Sequence, residues 1–276
     1  MRILRSRMRR AFTMLELVFV IVVMGILAKF GVDLFLQIYE SYTRTTITAS
    51  LMSKTEAAVG QIANRLTYRV RDSVIATTGP DATFRSLSSA NDDDNVFEWI
   101  GLDSDGWDDG DYSGIIDLYN ANTTYTQLKS PATSSLPDDG ALLFVGSKVN
   151  VQTSFGWHTH AFNDLKVYDS PHTTAEIIQF TGAPFNPGDE IFEFYQVVDT
   201  AYALVLDTAN NELRLFQDYQ PWQGEEYAGT GVLLVDNVKT FNLQKAGDII
   251  KIELCLSDDD FMGEGEYSIC KTKIVF

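Results

Sequence analysis

A run of apolar residues near the N-terminus, broken by one glutamate, constrains this chain more than any other feature. From residue 12 to residue 28 every side chain is apolar or small except Thr13 and Glu16, and the apolar character continues to Leu36. About 20 such residues cross the hydrocarbon of a bilayer, so residues 12–36 are predicted to form one transmembrane helix. A carboxylate in hydrocarbon costs about 2.5 to 3.5 kcal/mol, so Glu16 is expected to have a function.

The charge of the chain is distributed unevenly. Five arginines lie in the first ten residues, whereas the whole chain has a formal net charge of −17. Basic residues flank the cytoplasmic end of membrane helices, so the N-terminus is expected in the cytoplasm and the body of the chain outside. Without the basic leader the body is more acidic still. A strongly acidic surface repels phosphate, which excludes nucleic acid as its partner.

Three ordinary export segments fit this stretch less well. A cleavable secretory signal has a small-residue site after a short apolar core, but the small residues at 25–28 are followed at once by Lys29 and further apolar residues. A twin-arginine signal fits the pair Arg9-Arg10 but not a glutamate within the apolar stretch. A plain membrane anchor leaves Glu16 unexplained.

The N-terminal residues resemble the leader of type IV pilins and type II secretion pseudopilins. The matching residues are Arg9-Arg10-Ala11, then Phe12-Thr13-Met14-Leu15-Glu16, then the apolar run to Leu27. In that family a basic leader is removed on the cytoplasmic side just before a Phe, the new N-terminus is methylated, and a Glu follows four positions later. The resemblance implies that a prepilin peptidase cuts between Ala11 and Phe12 and methylates Phe12, and it makes Glu16 the family's glutamate.

The resemblance also implies an assembly role for Glu16. When helices of this family stack into a filament, the amine of Phe12 in one subunit lies beside Glu16 of a neighbour, and losing one partner of such a buried pair costs about 3 to 5 kcal/mol. In an unassembled subunit the carboxylate is instead expected to reach the membrane surface. The family usually has Gly before the cut, where this chain has Ala11, so cleavage is expected to be retained but slower.

The implied location and partners follow from the same resemblance. The chain is expected in a bacterial inner membrane, with one membrane pass, a cytoplasmic N-terminus and a periplasmic C-terminal domain, and in a filament after assembly. The implied partners are other pilin or pseudopilin subunits, the prepilin peptidase and methyltransferase, the inner-membrane assembly platform and membrane lipid.

A second helical pattern follows the membrane segment. Apolar or small residues recur every three or four positions, at Leu51, Thr55, Ala58, Ile62, Leu66, Val70 and Val74. This spacing predicts an amphipathic helix over residues 37–76, with Arg69 on a face away from the stripe. The sequence TRTTIT at residues 43–48 is expected to weaken the helix between its two halves, because β-branched residues lower helix propensity.

Residues 77–276 have the pattern of a β-rich globular domain. The clearest strand-like runs lie at residues 141–145, 190–198, 202–206, 212–218 and 249–256. Residues 208–211 predict the turn of a hairpin. One long helix followed by strands predicts an α+β fold in which the helix packs on an antiparallel β-sheet, after a cleaved leader at 1–11. The size of the chain and its C-terminal sequence GVLLVDNVKTF resemble the larger minor pilins and minor pseudopilins.

Two cysteines, Cys255 and Cys270, lie near the C-terminus. A lone pair without C-x-x-C spacing in an exported chain favours a disulfide over a metal or redox site. Two buried thiols are the alternative, and the compartment decides between them.

Two acidic segments are candidate calcium sites. Calcium takes roughly 6 to 8 oxygen ligands, which a Gly-punctuated set of carboxylates can supply. The first segment holds Asp103, Asp105, Asp108, Asp109 and Asp111, and the second, between the cysteines, holds Asp258, Asp259 and Asp260. Major pseudopilins bind calcium in a C-terminal loop, so the place of the second segment is similar to theirs. The spacing in the first segment fits no calcium-loop template, and a solvated acidic loop is the alternative.

The three histidines of the chain, His158, His160 and His172, lie within fifteen residues. On a strand, His158 and His160 would share a face, and a third ligand would complete a zinc site. Acidic or cysteine partners in motif spacing are absent from this part of the sequence, so a zinc site is the weaker interpretation.

Three functional hypotheses follow. The first is a structural subunit of a pilus-like filament. The second is a membrane-tethered periplasmic binding module or adhesin whose acidic, aromatic loops, at Trp99, Trp107 and Trp157, contact a ligand or surface. The third is an anchored hydrolase that uses the histidines. Enzyme activity is not expected, because the sequence contains neither a nucleophile elbow nor a phosphate loop.

Overall fold

A computed structural model describes residues 13–79, 83–91, 93–159, 164–169, 172–174, 176–180, 185, 190–258 and 267–276. The chain divides into two compact units, one ending at Ser50 and one from Leu51 to Phe276. A long helix, α1 (Met14–Thr67), is followed by antiparallel strands. The predicted α+β fold class is therefore confirmed.

In the first unit α1 exposes its apolar side chains. All described side chains from Thr13 to Tyr42 are exposed, and α1 is long and apolar enough to cross a membrane. The helix continues through the threonine-rich stretch. There the hydroxyls of Thr45 and Thr46 donate to the carbonyls of Ser41 and Tyr42, at 2.8 and 3.0 Å, so these side chains are satisfied within the helix.

The second unit contains a short helix, α2 (Ser104–Asp109), and a series of strands. In chain order the described strands are β1 (Ile75–Thr77), β2 (Arg85–Ser86), β3 (Val96–Leu102), β4 (Gln127–Lys129), β5 (Ala141–Phe144), β6 (Val167–Asp169), β7 (His172–Thr174), β8 (Ile177–Gln179), β9 (Tyr195–Asp207), β10 (Glu212–Tyr219), β11 (Val232–Val235), β12 (Val238–Ala246), β13 (Ile249–Asp258) and β14 (Tyr267–Val275).

These strands form three antiparallel sheets. The largest has the order β11-β10-β9-β3-β1-β2, with β5 pairing both β9 and β6; the others are β12-β13-β14 and β4-β8-β7. The long strand β9 organises the largest sheet, because its first residues pair with β5 and its later residues with β3. The predicted hairpin is confirmed, since Glu212 of β10 pairs with Asp207 of β9 around a turn at 208–211.

Within the second unit α1 packs through the predicted stripe. Its buried residues from Leu51 onward are Leu51, Thr55, Ala58, Val59, Ile62, Ala63 and Leu66. Ion pairs flank this stripe, with Lys54 Nζ 2.7 Å from Asp236 Oδ1 and Glu56 paired with Lys271 of β14. The guanidinium of Arg65 lies over the ring of Tyr202 in β9, 5.9 Å from its centroid.

The helix ends at Thr67, earlier than the sequence predicts. After it the backbone joins the sheet, because Leu102 N–H donates to Tyr68 C=O at 2.7 Å and Val70 N–H donates to Ile100 C=O at 2.8 Å. Val70 and Val74 are buried as predicted, but outside the helix. Tertiary pairing with β3 therefore overrides the helical spacing of these β-branched residues.

Arg69 is buried, although the sequence pattern places it on a face away from the apolar stripe. Only 4% of its surface is exposed. One guanidinium nitrogen donates to the Leu66 and Phe276 carbonyls, at 2.6 and 3.4 Å, and the other donates to the Asp248 carbonyl at 3.2 Å. Burial lowers its pKa, the charge of nearby Arg71 lowers it further, and Asp248 opposes both effects. Arg69 thus joins the end of α1 to the end of the chain.

Candidate functional site

The start of α1 places Glu16 beside Thr13. The Glu16 N–H donates to the Thr13 hydroxyl oxygen at 3.3 Å, and Leu17 N–H donates to the Thr13 carbonyl at 3.2 Å. Thr13 thus caps the helix, and Glu16 is its third residue, which is the spacing of a capping box. A carboxylate in the first turn also interacts favourably with the helix dipole. The backbone amide of Glu16 is satisfied within the chain, and its side chain is exposed.

The predicted cleavage and methylation site lies outside the described residues. Ala11 and Phe12 precede Thr13, the first residue that the structure describes. Cleavage between Ala11 and Phe12 therefore stays a prediction.

The first acidic segment forms the helix α2 and its caps. Asp103 is buried and caps α2 by accepting from Gly106 N–H at 3.0 Å, and Gly110 ends the helix with φ of 75°. Asp105, Asp108 and Asp109 are exposed along the helix. The carboxylate of Asp103 therefore has a structural role as the cap of α2, which the sequence D-x-x-G could have indicated.

Calcium stays a prediction for both acidic segments. Among the described residues, no group of three or more His, Cys, Asp or Glu side chains is placed to hold a metal ion. In the second segment Asp258 ends β13, whereas Asp259 and Asp260 lie outside the described residues.

A cavity of about 560 Å³ lies beside α2. Exposed apolar side chains from four parts of the second unit surround it: Tyr68, Trp107, Ile115, Val145 and Phe194. Asp103 and Asp108 are the charged residues among its described lining. We call this cavity the Trp107 pocket, after its most exposed aromatic residue.

Two groups near the Trp107 pocket, Asp199 and Tyr112, have shifted pKa values. Burial, together with the charge of the nearby Asp103 carboxylate, raises the pKa of Asp199 to about 6. Burial and the same carboxylate raise the pKa of Tyr112, whose hydroxyl donates to the Asp103 carbonyl at 2.5 Å. Asp199 therefore changes its charge near pH 6, well above the pH at which an exposed aspartate does so.

The zinc prediction assumed that His158 lies on a strand, and this part of it is wrong. His158 lies in a 3-10 turn at Trp157–Thr159, with φ of 50°, and not on a strand. Its Nε2 is 2.9 Å from Oε1 of Glu98, a buried residue of β3 whose other oxygen accepts from the Tyr219 hydroxyl at 2.8 Å. His172 begins β7, and His160 lies outside the described residues. In this hydrogen-bonded chain Glu98 and Tyr219 are buried in the core, and His158 lies at its edge, partly buried.

Two of the three tryptophans expected in ligand-contacting loops are also in the core. Trp99 lies in β3 and Trp157 beside His158, and their exposed fractions are 0% and 2%. Trp157 donates from its ring nitrogen to the Ser73 carbonyl at 3.1 Å. Trp107, at 58% exposed, is the member of the three that can contact a ligand.

Cys255 and Cys270 lie directly opposite each other on β13 and β14, and a disulfide joins them. Their Cα atoms are 4.0 Å apart. Since β13 also pairs with β12, the disulfide fixes the C-terminal strand to the centre of its sheet.

Comparison with known proteins places this chain in no family. No protein-family model, no curated protein and no solved structure matches it.

Proposed function

We propose that this chain is a structural subunit, of the larger minor type, in a type IV pilus-like or type II secretion pseudopilus filament. The observation that carries the proposal is the position of Glu16, in the first turn of a helix whose described side chains are exposed as far as Tyr42. In this proposal a prepilin peptidase cuts before Phe12, and α1 holds the subunit in the inner membrane until the assembly platform extracts it.

The exposed apolar surface of α1 supports this proposal because it needs a cover. Met14, Phe19 and Phe35 are 89%, 68% and 68% exposed. Lipid covers such a helix in a membrane, and the helices of neighbouring subunits can cover it in a filament. Both covers are apolar, so transfer from one to the other leaves the hydrophobic energy of the helix nearly unchanged.

Glu16 then favours transfer of the helix from the membrane to the filament. Its amide is satisfied by Thr13, and a capping box accepts Gln as well as Glu at this position. The negative charge is therefore not needed to start the helix. In the proposal it compensates the amine of Phe12 in a neighbouring subunit, and a buried charge that loses its partner costs about 3 to 5 kcal/mol.

The test compares two substitutions of Glu16 in cells that assemble the filament. Glu16→Gln removes the charge and keeps the length of the side chain, and Glu16→Ala removes the side chain beyond Cβ; both retain the backbone amide that donates to Thr13. We expect both variants to insert into the membrane and both to be lost from the sheared filament fraction. Normal incorporation of Glu16→Gln would show that the charge has no assembly role.

The Trp107 pocket favours a second candidate function, a membrane-tethered periplasmic binding module or adhesin. Trp107 is 58% exposed beside a cavity of about 560 Å³, which lies within the roughly 300 to 1,000 Å³ of ligand sites. Normal export and anchoring of a chain that never enters a filament would favour this function over the first.

A further inference from the structure

The Trp107 pocket collects exposed apolar side chains from segments far apart in sequence. Trp107, Phe194 and Val145 are 58%, 52% and 50% exposed, and Tyr68 and Ile115 are 47% and 41% exposed. Single exposed apolar residues are normal on a protein surface, whereas a cluster around a cavity marks a binding site. We propose that the Trp107 pocket binds a segment of a partner protein in which a large apolar side chain is flanked by Lys or Arg.

Backbone hydrogen bonds hold the walls of the pocket in place. Val145 N–H donates to Phe194 C=O at 2.9 Å, and Tyr195 N–H donates to Gly114 C=O at 3.0 Å. The wall that carries α2 is fixed by Asp103, whose N–H donates to Val197 C=O at 3.0 Å. A binding surface that is already ordered loses little conformational entropy when a ligand enters.

Gly114 allows Trp107 to form one side of the pocket. A Cβ at Gly114 would lie 3.2 Å from the Trp107 ring and 3.3 Å from the Tyr195 carbonyl oxygen, and its φ is 70°. Both the limited space and the backbone conformation therefore favour glycine here. The indole is held at the cavity by its backbone surroundings and by contact with Tyr112, 5.9 Å between ring centroids.

The charge of the pocket selects a cationic partner. Asp103 and Asp108 belong to its lining, which contains no basic residue among those described. The sequence has no Lys, Arg or His from residue 86 to residue 128, so the exposed Asp105 and Asp109 beside them have no basic neighbour in sequence. A Lys or Arg next to an apolar anchor would reach Asp108 at the rim. Such rim charges contribute mainly to specificity and to the rate of association.

Two tyrosine hydroxyls at the pocket already have partners within the protein, which makes a sugar ligand less suitable than a peptide. The Tyr112 hydroxyl donates to the Asp103 carbonyl at 2.5 Å, and the Tyr195 hydroxyl lies 2.8 Å from the Ser130 hydroxyl oxygen. These tyrosines therefore use their polar atoms within the protein. An apolar side chain needs no such groups, and aromatic anchors in pockets carry most of the energy of protein interfaces.

The test measures peptide binding to the full chain in phosphatidylcholine nanodiscs by titration calorimetry. The probe is the blocked hexapeptide Gly-Lys-Phe-Leu-Lys-Gly, and its analogue with Glu in place of both Lys controls for charge. We expect the first peptide to bind, more weakly as salt increases because surface charges are screened, and the second not to bind. Equal binding of both peptides, or binding of neither, would overturn the proposal.

Matched variants locate the binding. Trp107→Ala is expected to weaken binding by roughly tenfold or more, as for other aromatic anchor residues. Tyr119→Ala removes a fully exposed aromatic ring outside the pocket lining and is expected to leave binding unchanged. Asp108→Asn should weaken binding and reduce its salt dependence, and Asp139→Asn should do neither. Binding that survives Trp107→Ala unchanged would contradict the assignment.

Two further measurements complete the test. Val145→Ser replaces a half-exposed side chain of the pocket wall and should also weaken binding, which covers the case in which Trp107→Ala fails to fold. Titration with chitohexaose probes the other class of ligand, and tighter binding of this sugar than of the peptide would overturn the proposal. None of these measurements requires cleavage or assembly, so their outcome is independent of the filament function.

Discussion

The Thr13 hydroxyl oxygen lies 3.3 Å from the Glu16 backbone nitrogen and accepts its hydrogen bond. Thr13 thereby satisfies a backbone donor that has no partner within the helix. The side chain of Glu16, which carries the carboxylate, is exposed in the first turn of an apolar helix. The cap depends on the Thr13 hydroxyl and the Glu16 backbone amide, whereas the charge lies on the Glu16 carboxylate. Substitutions can therefore separate the two.

Thr13→Ala tests the cap without touching the charge. Loss of an N-cap side chain costs about 1 kcal/mol, so the first turn of α1 should open more often. Hydrogen exchange at the amides of Glu16 and Leu17 should speed up, while Thr13→Ser should exchange like the unchanged chain. Filament incorporation of Thr13→Ala should remain much closer to normal than that of Glu16→Gln. The reverse order would mean that the cap, and not the charge, limits assembly.

Asp199→Asn tests the buried carboxyl near the Trp107 pocket. The pKa of Asp199 is raised from 3.8 to about 6 in the folded chain, so folding takes up a proton between about pH 4 and pH 6, and this residue's contribution to stability falls as the pH rises through that window. Allowing for partial solvent screening, Asn should stabilise the fold by on the order of 1 kcal/mol at pH 7.5 and by little at pH 4. Urea unfolding at both pH values measures the difference.

Asp207→Asn is the matched control for this prediction. Hydrogen bonds from Asn210 lower the pKa of Asp207, so its contribution to stability is present at neutral pH and is lost as the pH falls. Asp207→Asn should therefore destabilise at neutral pH, the opposite sign to Asp199→Asn. The same sign for both variants would contradict the assignment of the two pKa shifts.

His158→Ala tests the buried chain of hydrogen bonds at Glu98. The substitution removes the contact of 2.9 Å to Glu98 Oε1, although the Tyr219 hydroxyl still donates to the other oxygen. Leaving a buried carboxylate short of a partner should cost about 3 kcal/mol of unfolding free energy. Adding Glu98→Gln should recover part of this loss, because the remaining group is neutral. A cost below about 0.5 kcal/mol for His158→Ala would place this pair among the weak surface contacts.

The disulfide predicts a measurable effect of reduction. Cys255 and Cys270 are separated by 15 residues in sequence, and closing a loop of that size stabilises a fold by about 3 kcal/mol. The double variant Cys255→Ser and Cys270→Ser should lower the denaturant midpoint, and a reducing agent should then have no further effect. If the reducing agent also leaves the denaturant midpoint of the unchanged chain where it was, the two cysteines do not form a disulfide in the isolated protein.

The local patterns of the sequence were sufficient for the helix and for strands such as β5, β10 and β13, whereas the two strands predicted at 190–198 and 202–206 are the single strand β9. The stripe from Leu51 to Leu66 is buried, and the turn after Asp207 closes the predicted hairpin. The strand β3 could not be recognised in the same way. Its residues are buried on both faces, so polar and apolar side chains do not alternate along it, and the aspartates on both sides give the segment the composition of a loop.

The candidate sites also differ in whether local sequence patterns could predict them. Thr13 and Glu16 have the spacing of a capping box, which is visible in the sequence. This signal could have predicted that the Glu16 amide donates to Thr13. The Trp107 pocket could not be predicted, because Val145 and Phe194 come to it from distant segments through the pairing of β5 with β9. Arg69 and His158 have polar side chains whose burial depends on partners supplied by distant segments, at Asp248 and Glu98.

The most direct test of the filament function is the intact mass of the chain extracted from the membranes of cells with an active prepilin peptidase. A processed subunit is expected to lack residues 1–11 and to begin at Phe12 with one added methyl group. An Ala11→Gly variant should give the same product, formed faster. A chain that begins at Met1, or one cut near Lys29, would contradict the filament function.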